Sequence, residues 1–119
     1  MQLLGLLHDA SEAYLVDLPR PVKRAAPWGV GYREDEARVQ AVIFERMGLD
    51  HDEYDWHLVE HADAVLLATE ARDLMAPPPV PWTDMPAPLA DPIFPWSPGL
   101  AKFNFMDCFR NLRNLHGAA

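Results

Sequence analysis

The distribution of proline constrains the fold of this chain more than any other feature. Nine of its twelve prolines lie between Pro77 and Pro98, and this density excludes a helix or a central strand there. Trp82, Phe94 and Trp96 lie in the same stretch, which is too apolar for a simple linker. We therefore expect an extended strap packed across the protein before the last helix, with a mobile lid as the alternative.

Outside this strap, apolar residues recur with helical spacing, and proline or glycine marks the ends of the segments. The pattern predicts helices over residues 2–16, 32–47, 52–75 and 98–116. Residues 27–31 are expected to form a flexible connection, because they contain a proline and two glycines. No segment has the alternating pattern of a strand, so the predicted fold class is all-α, with residues 1–119 in one domain.

Composition limits the partners and the compartment. The formal net charge of −8 argues against binding to a nucleic-acid polymer, which needs clustered Lys and Arg. Cys108 is the single cysteine, so no internal disulfide can form and a reducing compartment is favoured. The apolar start lacks a basic leader, and no stretch approaches the length of a membrane span. We expect a cytoplasmic protein with no membrane partner.

The adjacent pair His8-Asp9 is the strongest chemical signal in the sequence. It interrupts an apolar segment, and charged groups among apolar residues are costly without a partner or a metal ion. Glu12 lies one helical turn later, over the same patch. Asp63 lies much later, on the apolar face of a predicted helix. The alternatives are a surface face with an incidental histidine, and a helix carboxylate at Asp63 paired with an arginine.

Taken together, these residues resemble a known family, the HD-domain phosphohydrolases. Among its members they are similar to the 5′-deoxynucleotidases and the related phage and bacterial (deoxy)nucleotide hydrolases. The matching segments are Leu7–Tyr14, Asp17–Lys23, Ala62-Asp63, Ala68–Met75 and Pro95–Pro98. The resemblance covers nearly the whole chain and implies an HD-like helical bundle.

The resemblance also implies roles for individual residues. His8, Asp9 and Asp63 correspond to ligands of a divalent metal ion, and Glu12 to the acidic catalytic residue. The aspartate that helps hold the sugar of the nucleotide falls on Asp17. A looser match places Lys23 where a basic residue could meet phosphate. Mixed nitrogen and oxygen ligands suit Mn, Co, Ni, Fe or Zn, with Mg also allowed.

The implied function is hydrolysis of (deoxy)nucleotide mono- or triphosphates by in-line attack of metal-activated water. One ligand of the family pattern has no counterpart, because the family's first histidine comes from an earlier helix. His57 and His61 share the helix of Asp63 but point away from it. The expectation is therefore either an upstream start or an impaired short form that binds nucleotide, metal or another protein. Loss of covering helices would also favour a homodimer.

Overall fold

A computed structural model of the chain describes residues 1–117, apart from the side chains at positions 20, 26, 28, 116 and 117. These residues form helices and turns with no strand among them, which confirms the all-α class. None of the described helices is long and apolar enough to cross a bilayer. The chain divides into two compact units, Met1–His51 and Asp52–Ala119. The assignment to one domain stays a prediction.

The first unit is built around one long helix. In chain order its helices are α1 (Gln2–Leu6), a 3-10 helix (Ala10–Ala13), α2 (Arg20–Arg24) and α3 (Ala26–Met47). Helix α3 packs against the 3-10 helix and against α2. Leu3, Leu4, Leu7 and Phe44 are buried and form the apolar core of this unit.

The predicted continuous helix over residues 2–16 is wrong. Helix α1 ends at Leu6, and a turn at residues 7–9 separates it from the 3-10 helix. The cause is a side chain from α3. The amide of Gln40 bonds to Leu7 O and to Ser11 N, which are the two groups that a continuous helix would join to each other.

The expected flexible connection at residues 27–31 is also wrong, because α3 already begins at Ala26. Pro27 lies in the first turn of α3, where a missing backbone N–H costs nothing. Gly29 is buried, and a Cβ atom there would lie 2.3 Å from Lys23 O. Glycine at this position therefore lets α3 lie directly against the end of α2. At its other end α3 stops at Gly48, whose φ of 66° is left-handed.

The second unit contains the two remaining helices, α4 (Glu53–Asp73) and α5 (Pro98–Gly117). Both agree with the sequence pattern, and both begin at a side-chain cap. Asp52 Oδ1 accepts a hydrogen bond from Asp55 N at 2.8 Å, and Ser97 Oγ accepts one from Leu100 N at 3.3 Å.

The later part of the proline-rich strap is held on α4 by hydrogen bonds to its backbone. Thr69, which is fully buried, accepts from Leu89 N at 3.0 Å. Asp73 Oδ2 accepts from Ile93 N at 2.9 Å, and Arg72 donates to Leu89 O at 2.6 Å. These bonds favour a packed strap over a mobile lid for this part of the segment.

The earlier part of the strap leaves an open cavity of about 430 Å³ against α4. Ala68 and Ala71 of α4, Trp82, Met85 and five prolines line it, and all of them are apolar. These lining residues carry no charge and no metal-ligating group, and the indole N–H of Trp82 is their one side-chain hydrogen-bond donor, so the cavity is not a candidate for the predicted chemistry.

Two glycines of α3 should respond in opposite directions to replacement by alanine. Gly29→Ala should lower the free energy of unfolding by about 1–3 kcal/mol, because the new methyl group meets a backbone oxygen that cannot move alone. A Cβ atom at Gly31 would have no neighbour within 4 Å, so Gly31→Ala should raise the free energy of unfolding by about 0.5–1 kcal/mol. Urea unfolding of both variants measures this, and equal effects would contradict the close approach at Gly29.

The contact between Asp73 and the strap should fail in acid. Hydrogen bonds from Arg72, and then from Ile93 N, lower the pKa of Asp73 from 3.8 to about 2. Because the pKa of Asp73 is lower in the folded state than in the unfolded state, the stability contributed by its carboxylate is complete above pH 3.8. This contribution is lost as the pH falls through about 2. Hydrogen exchange at Ile93 N should show this loss. Asp73→Asn should weaken protection at neutral pH and remove its dependence on acid, whereas Asp91→Asn, at an exposed carboxylate on the strap, should leave protection unchanged.

Candidate functional site

His8 and Asp9 lie in the turn between α1 and the 3-10 helix, and their side chains meet. His8 Nε2 is 3.1 Å from Asp9 Oδ2. Both residues lie where α1 has ended, so the break in the helix sets the backbone conformation from which the two side chains meet. The structure thus brings together two of the predicted metal ligands.

The orientation of the His8 ring is fixed from its other side. Nδ1 lies 2.8 Å from the carbonyl oxygen of Gly5, which can only accept a hydrogen bond. Nδ1 therefore carries a proton, and in the neutral ring the lone pair is on Nε2. Nε2 is the nitrogen that lies 3.1 Å from Asp9 Oδ2.

Glu12 follows on the 3-10 helix and is exposed at the surface. Partial desolvation raises the pKa of Glu12, and the negative charges of Asp9 and Asp17 add to the increase, while Lys23 opposes it. Two of the predicted site carboxylates therefore act electrostatically on Glu12. A carboxyl group with a raised pKa keeps its proton to higher pH, which suits a residue that donates or accepts a proton.

Lys23, predicted to meet phosphate, is held between two carboxylates. Its Nζ lies 2.7 Å from Glu36 Oε1 and 3.3 Å from Asp17 Oδ1. The hydrogen bond with Glu36 is the largest cause of the raised pKa of Lys23. The ammonium group also lies 5.8 Å from the centre of the Tyr32 ring. Its contact with substrate phosphate stays a prediction.

The connection that carries Asp17 is attached to α3 as well. The hydroxyl of Tyr32 donates to the carbonyl of Val16, and the guanidinium of Arg33 donates to the carbonyl of Lys23. Asp17 itself remains largely exposed, with 63% of its side chain accessible. It is therefore available to a ligand in addition to its ion pair with Lys23.

Asp63, the third predicted ligand, lies on α4 and is exposed. It belongs to the second unit, whereas His8 and Asp9 belong to the first. Within either unit, the described residues bring together no group of three or more His, Cys, Asp or Glu side chains that could hold a metal ion. The three-ligand site stays a prediction.

Sequence reasoning missed two residues of this region, Gln40 and Glu36. They are four positions apart on α3, so they lie on the same face of that helix. Glu36 holds Lys23, and Gln40 holds the turn that carries His8. A weak signal for Gln40 was present, because it is the one polar residue in the run Val39–Phe44.

The comparisons with known proteins yield one relative. No protein-family model and no solved structure matches the chain. The uncharacterized protein YfdR of Escherichia coli (strain K12) is 38% identical over 118 residues. The match covers 97% of this chain and 64% of the relative, so the chain spans a little under two thirds of that protein's length. The relative's name states no activity or ligand.

The pair Lys23–Glu36 should contribute measurably to stability. Only 18% and 22% of these side chains are accessible, so water screens their attraction incompletely. A double-mutant cycle with Lys23→Met and Glu36→Gln should give a coupling energy of about 1 kcal/mol or more.

The exposed pair Arg38–Asp35 on the same helix provides the control, since 72% and 61% of its side chains are accessible. The double-mutant cycle for this pair should give a coupling energy of only about 0.3 kcal/mol. Equal coupling in the two cycles would show that Lys23 is not held as the structure indicates.

Proposed function

We propose that this chain is a metal-dependent phosphohydrolase of the HD type that acts on (deoxy)nucleotide mono- or triphosphates. The observation that carries the proposal is the 3.1 Å contact between His8 Nε2 and Asp9 Oδ2, with His8 Nδ1 held by Gly5 O. The proposal includes an HD-like arrangement of the helices and a cytoplasmic location.

This contact has the chemistry of a cation site. Gly5 O holds the proton on Nδ1, so in the neutral ring two electron-pair donors, Nε2 and a carboxylate oxygen, lie 3.1 Å apart. A cation shared by both atoms stabilises such a pair, and the cation can be a proton or a metal ion. A backbone carbonyl bound to the distal ring nitrogen is the usual support for a metal-binding histidine.

The distance also suits a metal ion. Nitrogen and carboxylate ligands lie at about 2.0–2.2 Å from a zinc ion, so two adjacent ligand atoms are about 3.0–3.5 Å apart. The observed 3.1 Å falls in this range. The residues present therefore fit one edge of a coordination shell for Mn, Co, Ni, Fe, Zn or Mg, and Asp63 is the proposed third protein ligand.

The charge around this edge supports the same class of ligand. The negative charges of Asp9, Asp17 and Glu36 contribute to the raised pKa of Glu12, and the ammonium group of Lys23, which is paired with Asp17 and Glu36, opposes them. A nucleotide phosphate would be repelled by this excess of carboxylates unless a divalent cation offset it. A substrate that arrives with, or binds to, such a cation is therefore favoured.

In the proposed reaction the residues of this chain have distinct tasks. A divalent ion, when bound, polarises a phosphoryl oxygen and acidifies water. Glu12 moves the proton between the attacking water and the leaving group, a role for which its raised pKa is suited. Asp17, which is exposed and paired with Lys23, would accept a hydrogen bond from the sugar of the nucleotide.

The direct test is hydrolysis of a panel of deoxynucleoside mono- and triphosphates in the presence of Mn²⁺ or Co²⁺. We expect metal-dependent release of phosphate or triphosphate, and the product identifies the subclass. Asp9→Ala should abolish both metal binding and turnover. Glu12→Gln should bind the metal normally but lower kcat about 10²–10⁴-fold, because it removes proton transfer and no metal ligand.

Turnover that survives Asp9→Ala would overturn the assignment of the metal site. A folded wild-type protein that retains metal and nucleotide without turnover would contradict the hydrolase. That result would favour the second function expected from the sequence, a nucleotide- or metal-binding module.

A further inference from the structure

The side chain of Gln40 lies in the gap between α1 and the 3-10 helix. Its Nε2 donates to Leu7 O at 2.7 Å, and its Oε1 accepts from Ser11 N at 2.8 Å. Leu7 and Ser11 are four residues apart, so these are the acceptor and donor of one α-helical hydrogen bond. The amide of Gln40 is inserted in place of that bond.

The insertion lies at the end of α1, next to the candidate metal ligands His8 and Asp9. Leu7 O still accepts a bond from Ala10 N, at 3.1 Å, but this is the tighter 3-10 pattern. His8 and Asp9 are the two residues between Leu7 and Ala10, so they lie inside this 3-10 turn. Their side chains meet at 3.1 Å, which the 100° spacing of a regular helix does not favour.

We infer that Gln40 is a positioning residue that brings the His8 imidazole and the Asp9 carboxylate together for one metal ion. This inference rests on the proposed function. Gln40 does not reach the ion itself: both polar atoms of its amide are used by the backbone at Leu7 and Ser11. It acts through the conformation of the turn.

The surroundings make the two bonds of Gln40 hard to replace. Leu7 and Ser11 are 6% and 4% exposed, and Phe44, one turn further along α3, is 5% exposed. Without the amide, Ser11 N would lose its partner and Leu7 O would keep only the bond from Ala10 N, or the two groups would bond to each other. The second outcome restores a continuous helix and turns the side chains of His8 and Asp9 apart.

Glutamine is the side chain that meets these needs from α3. It offers one donor and one acceptor at the end of a chain long enough to cross to the neighbouring segment, and it adds no charge. Methionine has nearly the same length and shape but neither function. Gln40→Met therefore removes the two hydrogen bonds while it preserves most of the packing.

The experiment compares Gln40→Met with the wild-type chain and with Glu45→Met, which introduces the same side chain at an exposed position of α3. Co²⁺ alone is titrated into each protein, and its visible absorption reports both affinity and ligand geometry. Hydrogen exchange at Ser11 N, measured without metal, reports the turn. Gln40→Met should bind Co²⁺ at least about tenfold more weakly and with a changed spectrum. The rate of hydrogen exchange at Ser11 N in Gln40→Met should differ from the wild-type rate. Glu45→Met should match the wild type in Co²⁺ affinity, spectrum and exchange rate.

The outcomes separate this inference from the proposed function. A wild-type chain that binds no Co²⁺ overturns the proposed function and the inference with it. Wild-type binding that Gln40→Met retains, in affinity and spectrum, overturns the inference alone. If Gln40→Met does not fold, nuclear Overhauser contacts measured in the wild-type protein test whether the Gln40 amide is inserted between Leu7 and Ser11. Contacts from the Gln40 amide protons to the backbone of both Leu7 and Ser11 support the inserted amide, and their absence overturns it.

Discussion

One side-chain amide determines how the first unit is built. Without Gln40 between them, Ser11 N could bond to Leu7 O, and the helix that begins at Gln2 would continue. With it, the segment turns at residues 7–9, and a short 3-10 helix packs against α3. The pair His8-Asp9 gains its geometry from a residue about thirty positions away, and α3 therefore supports the site as well as the core.

The same face of α3 also holds the segments that carry Asp17 and Lys23. Glu36, one turn before Gln40, binds Lys23, and Tyr32, one turn earlier again, donates to the carbonyl of Val16. The close approach at Gly29 brings the end of α2 against the helix. Residues at intervals of three or four thus attach three separate segments to one rigid element, which is how a site on short loops keeps its geometry.

Local signals predicted the helices well wherever local interactions decide them. Gly48 ends α3, and Asp52 and Ser97 cap α4 and α5, in each case through contacts with residues close by in the sequence. The break at residues 7–9 could not be predicted in this way, because its cause lies on another helix. Gly29 was misread for a related reason: a missing Cβ suggests flexibility in the sequence, but here it permits contact with Lys23 O. Of the candidate site, the sequence predicted the pair His8-Asp9, but not the residues that hold it.

On the proposal of a metal site, the turn would let the ion bind with little rearrangement. In the neutral His8 ring, Nε2 and the Asp9 carboxylate repel each other at 3.1 Å, yet Gly5 O and the Gln40 amide keep the ring and the backbone in place. The fold therefore maintains two electron-pair donors at the spacing of adjacent metal ligands before any ion is present. Preorganisation of this kind lowers the cost of binding, because no side chain has to be ordered by the ion. On the proposed function, the free energy released when a cation relieves this repulsion adds to the stability of the turn, so metal binding and the fold of the first unit stabilise each other.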